Sequence, residues 1–156
     1  MNKSKLTVTV ASAVILLAFC AFLFLNSAQD ADTSGKISDV FVNAITPVLA
    51  LFGIECSVNT VTFYVRKVAH FIGYFTLTLL LYSLLKRFVS KRLALMLSPM
   101  ITLLIAIFDE FVIQRNSSGR SPEWRDVFID LAGAITAVLL ITLLNLIKSK
   151  KGEDSQ

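Results

Sequence analysis

Long apolar runs broken by short charged segments set the pattern of this chain. Four of them, residues 6–25, 68–85, 93–111 and 127–147, have the length of a membrane crossing, since about 20 helical residues span a hydrocarbon core of about 30 Å. Inside lipid the backbone must satisfy its own hydrogen bonds, so each run is predicted to be a helix. A fifth segment, residues 37–54, follows another rule. Ile37, Val40, Phe41, Ala44, Ile45, Val48, Leu51 and Phe52 recur at helical spacing, with Ser38, Asp39, Asn43 and Thr46 opposite them. That pattern predicts an amphipathic helix on the outer leaflet, bent at Pro47. The stretch before it, "NSAQDADTSGK", is polar and turn-rich and reads as a loop. The expected fold is an all-α membrane protein with one domain over residues 1–156, four transmembrane helices and an extracytoplasmic amphipathic helix between the first and second.

Composition agrees with this reading. Hydrophobic residues make up 55% of the chain and charged ones 17%, and the apolar excess sits in blocks, unlike a soluble domain. The first run exceeds the 7–15 residues of a signal-peptide core, so it is expected to stay as a helix. Phe19 stands where a lipoprotein signal ending at Cys20 needs a small residue. Cys20 falls within the first helix and Cys56 in the loop after the amphipathic segment, a placement that supports no disulfide, metal site or redox pair.

Charge sets the expected orientation. With the N-terminus inside, the inner side receives Lys3, Lys5, Lys86, Arg87, Lys91, Arg92, Lys148, Lys150 and Lys151. The outer side receives Lys36, Arg66, Lys67, Arg115, Arg120 and Arg125. The bias predicts a multi-pass protein of a cytoplasmic membrane with both termini cytoplasmic. The basic balance reflects sidedness and gives no support to nucleic-acid binding. All acidic residues except Glu153 and Asp154 fall in outer loops or outer helix ends, which places the polar chemistry outside.

Three outer helix ends converge in this scheme. At 100° per residue, Arg66, Lys67, His70, Gly73 and Tyr74 share about a third of the second helix's circumference. Asp109, Glu110 and Gln114 lie at the outer end of the third helix, and Asp126 and Asp130 at that of the fourth. Below the acidic pair, Gly133 and Ala137 have the small-xxx-small spacing that lets another helix approach closely. Self-association through that stripe is conceivable but has no other support in the sequence. Arg120 and Arg125 flank the turn "GRSPEWRD", where Trp124 is an interfacial anchor. Ionised groups at membrane depth are costly unless paired, so these residues predict either a bracing ion-pair network or a ligand site. His70, with an ordinary pKa near 6.5, could move a proton there. No Ser-His-Asp order, metal-ligand cluster, phosphate loop or cofactor motif can be read, so a catalytic set is not assigned.

The stretches "RKVAHFIGYFTLTLLLYSLL" and "FDEFVIQRNSSGRSPEWRDVFIDLAGAITA" resemble the VanZ-like family of bacterial membrane proteins. The family pattern is similar to R-K-x-x-H-F-x-x-Y, then D-E-x-x-Q, G-R and D-x-x-x-(N/D)-x-x-G. Arg66, Lys67, His70, Phe71, Tyr74, Asp109, Glu110, Gln114, Gly119, Arg120, Asp126, Asp130 and Gly133 match it across residues 64–137. "NSAQDADTSGKISD" is similar to a Ser/Gln-rich stretch after the first helix of many relatives. Two departures stand out. Gln114 lies one residue farther along than the pattern, which turns it by about 100° around an α-helix. Ser118 stands where proline is usual. The resemblance implies a cell-envelope protein of a family associated with resistance to the glycopeptide teicoplanin. A membrane lipid or lipid-linked envelope molecule is the partner expected for the polar cluster. Without a settled activity in the family, an enzyme acting on such a molecule is the alternative.

Overall fold

The computed structural model describes residues 3–117 and 121–153. They form five α-helices, α1 (Lys3–Ser27), α2 (Ala31–Leu51), α3 (Val58–Leu85), α4 (Lys91–Phe108) and α5 (Trp124–Glu153). A π-helical turn, Asp109–Ile113, and a 3₁₀ turn, Gln114–Asn116, continue α4. The helices α1, α3, α4 with its extension, and α5 are each long and apolar enough to cross a membrane. Among the described residues there is no strand.

Helix starts carry local caps that hydropathy does not register. Ser57 accepts from the Thr60 N–H and Ser90 from the Leu93 N–H, each satisfying a donor left over in a first turn. The Ser57 cap starts α3 ten residues before the apolar run that marked it. Asp30 does the same for α2 through the Thr33 N–H, so residues 31–36, read as loop, are helical. Pro47 lies inside α2, which runs on to Leu51. Gly53 then ends it at φ +71°, a conformation that spares glycine a Cβ clash, and Ile54 N–H reaches back to the Leu49 carbonyl.

Packing centres on α3, which touches α1, α2, α4 and α5. One apolar cluster joins Leu16 of α1 with Tyr74, Leu77 and Leu81 of α3 and Ala106 of α4. A second, toward the opposite end, joins Tyr82, Ala94 and Ile141. Gly133 marks a close crossing of α3 and α5, since a Cβ there would collide with the Phe71 carbonyl oxygen and lie 3.1 Å from Phe75 N. Ala137, one turn on, is fully buried as well. The small-residue stripe is therefore filled by the chain's own helices.

The amphipathic helix inverts the usual arrangement. Among its described side chains Ser38 and Val42 are the buried ones, at 5% and 2% exposure, whereas Val40 and Leu51 are 70% and 85% exposed. Its polar serine faces protein and its apolar stripe faces outward, as suits a surrounding lipid phase rather than water.

Candidate functional site

The last turn of α1, the first half of α3, the end of α4 and the start of α5 meet at one end of the bundle. Three carboxylates are sealed there, with Asp109, Glu110 and Asp130 each at most 2% exposed. Buried carboxylates are costly unless donors surround them, and each has specific donors or a facing imidazole. Asp109 Oδ2 accepts from Tyr74 OH at 2.8 Å and from Ser27 Oγ at 2.6 Å. Glu110 Oε2 accepts from Gln114 Nε2 at 2.6 Å, and Glu110 Oε1 from the Glu123 backbone N–H at 2.7 Å. Asp130 Oδ1 faces His70 Nδ1 at 3.3 Å. The Lys67 ammonium is held by Asp126 and lies 4.9 Å from the Phe63 ring centre.

The π turn decides where Gln114 points. Its backbone N–H reaches the carbonyl of Asp109, five residues back rather than four. The widened turn takes up the extra residue that would have rotated Gln114 on an ordinary α-helix. Gln114 is instead buried on Glu110 and bonded to it. The one-residue departure in sequence is thus a local change of helix type.

His70 is oriented by two neighbours. Its ring stacks on Tyr74 with an interplanar angle of 11°, and Nδ1 is buried against Asp130. Deeper in the bundle, Thr78 Oγ1 donates to the Tyr74 carbonyl and lies 2.9 Å from Thr102 Oγ1. With Thr78's hydrogen committed, Thr102 is the donor of that second bond. One turn before Thr102 in α4, the buried Ser98 Oγ has no hydrogen-bond partner among the described residues.

Two cavities open on this framework. The first, about 190 Å³, is polar and lined by Phe63, Arg66, Lys67, His70, Gln114, Ser121, Glu123 and Asp126. The second, about 290 Å³, lies among α1, α2 and α3, with an apolar wall of Phe22, Leu23, Phe41, Val65 and Ala69. Asn26, Ser27, Gln29, Ser38, Tyr74 and Asp109 supply polar lining at its edge. Arg66 and His70 line both. Arg66 is half-buried and has no hydrogen-bond or ion-pair partner among the described residues.

Arg66, Lys67, His70, Tyr74, Asp109, Glu110, Gln114, Asp126 and Asp130 are therefore gathered at one end. Arg125 is exposed and lines neither cavity. Arg120 lies outside the described residues, as do Ser118 and Gly119. Sequence reasoning missed Ser27 and Glu123. Ser27 belongs to "NSAQ", whose Ser/Gln-rich character was the available signal. Glu123 contributes a backbone N–H and a cavity-lining side chain, and the backbone role leaves no residue-type trace.

A family model described as VanZ/LLP1 matches residues 12–145. No curated protein and no solved structure matches the chain at a significant level.

Proposed function

The chain belongs to the VanZ-like (VanZ/LLP1) family, and from that premise we propose that it is a cell-envelope membrane protein binding an amphiphile through an anionic group at the polar end of its bundle. The observation that carries this reading is the position of Arg66. Lys67 is engaged by Asp126 and His70 faces Asp130, whereas Arg66, at the junction of a polar and an apolar cavity, has no partner among the described residues. A guanidinium there suits an acidic group that joins a hydrated head to a hydrocarbon tail. The basic residues of the opposite end support an orientation with that end and both termini on the cytoplasmic side of a bacterial membrane. The amphiphile site then lies in the outer leaflet.

Binding of dihexanoyl phosphatidylglycerol to the purified protein in an uncharged detergent tests the reading. Arg66→Gln should weaken binding about tenfold, the scale of one charge-assisted contact. Equal affinity in the variant and the parent protein would remove Arg66 from the site. A protein that sequesters envelope lipids also alters access of lipid-anchored glycopeptides. Deleting the gene should change susceptibility to teicoplanin more than to vancomycin, and unchanged values for both would discard the resistance role.

One observation favours a second reading, an enzyme acting on a lipid-linked envelope precursor. The His70 imidazole lines both cavities with its Nδ1 3.3 Å from Asp130, and a histidine beside a carboxylate is suited to accept a proton. An envelope lipid extract left chemically unchanged by the purified protein would count against it.

A further inference from the structure

Among its described lining residues, the polar cavity holds one charge of each sign without a hydrogen-bond or ion-pair partner. Glu123 lies just before α5 and is anchored by its own backbone N–H on Glu110. Its carboxylate is exposed, lines the cavity and has no partner among the described residues. The other carboxylate of the lining, Asp126, is taken by Lys67, and the Gln114 amide by Glu110. Among the described residues, what the cavity offers a ligand is therefore Arg66 at the apolar junction and Glu123 on the polar side.

We propose that the site selects a zwitterionic phospholipid with a primary ammonium head, seating its phosphate at Arg66, its ammonium at Glu123 and its chains in the apolar cavity. This inference rests on the amphiphile-binding reading above and adds the head group to it. The order of charges along such a lipid, hydrocarbon, phosphate, ammonium, follows the order of the cavities. A primary ammonium fits better than a quaternary one for a specific reason. Trimethylated heads are recognised over open aromatic faces, and Phe63, the aromatic residue lining this cavity, already faces the Lys67 ammonium. A carboxylate instead accepts hydrogen bonds from an ammonium N–H, which a quaternary nitrogen lacks.

The full-length protein in dodecyl maltoside is titrated calorimetrically with dihexanoyl phosphatidylethanolamine, phosphatidylglycerol and phosphatidylcholine, and with O-phosphoethanolamine. The ethanolamine lipid should bind about two- to fivefold more tightly than the glycerol and choline lipids, the range of one exposed charge pair. Glu123→Gln should erase that preference while leaving glycerol-lipid binding intact, which also reports that the variant is folded. Arg66→Gln should weaken all three lipids. Glycerol or choline lipid binding as well as ethanolamine lipid to the parent protein would overturn the ammonium selection and leave the binding reading standing. O-Phosphoethanolamine binding as tightly as the lipid would overturn the role of the apolar cavity. Failure of all three lipids to bind would remove the binding reading itself.

Discussion

The two ends of the bundle carry ionisable residues in opposite ways. At the polar end, carboxylates from α5 and the turn after α4 are buried and held by Tyr74, Ser27, Gln114, Lys67 and His70. At the other end Lys86, Arg87, Lys91 and Arg92 are exposed around an apolar plug of Tyr82, Ala94 and Ile141, with Lys86 lying over the Tyr82 ring. The exposed cations keep their hydration, so their cost is small. The buried carboxylates keep none and depend on fixed donors. One end is a buried polar cluster, and the other is a charged rim.

Substitutions can break that contrast, beginning with the largest effect. Gly133→Leu forces a branched side chain into the Phe71 carbonyl at the foot of the site. Backbone on both sides leaves little room to relax, so a loss of about 3 kcal/mol or more is expected, at the top of the overpacking range. Thermal unfolding in detergent would show it, and an unchanged midpoint would mean α3 and α5 cross elsewhere. Lys67→Ala strands the buried Asp126 carboxylate and should cost about 3 kcal/mol. If Lys67→Ala and Asp126→Asn together unfold no earlier than the parent protein, the pair is confirmed as the source of the loss in the single variant. Independent, additive losses would refute that pairing.

Tyr74→Phe keeps the ring stacked beside His70 and removes one donor from Asp109. A loss of about 2 kcal/mol is expected from a buried carboxylate deprived of a hydroxyl. Denaturation that does not distinguish Tyr74→Phe from the parent protein would mean the hydroxyl contributes nothing to holding Asp109. At the rim, Arg92→Ala should shift stability by no more than about 0.5 kcal/mol, as for other exposed positions. A drop matching that of Lys67→Ala would erase the distinction between the two ends.

The same contrast explains what could be read in advance. The four apolar crossings and the convergence of Arg66, Lys67, His70, Asp109, Glu110, Asp126 and Asp130 follow from hydropathy and helical spacing. Helix starts were less legible, because Ser57 and Asp30 extend α3 and α2 by capping into mixed or polar sequence. The buried face of α2 was not legible at all. Its stripe shows which residues share a side, whereas contact with α3 decides which side faces protein. Gln114 fell one position off the expected spacing, and a single π turn absorbed the difference.

Sequence alone determined that this chain crosses a membrane as helices and that its acidic chemistry gathers at one end. Those conclusions rest on sums over some 20 residues, which tolerate a residue of error. Tertiary structure decided which donor each carboxylate takes, that Ser27 closes on Asp109, and that Arg66 stands between two cavities. Such pairings change with a shift of one residue, because each residue turns a helix by 100° and a hydrogen bond tolerates only a few tenths of an ångström.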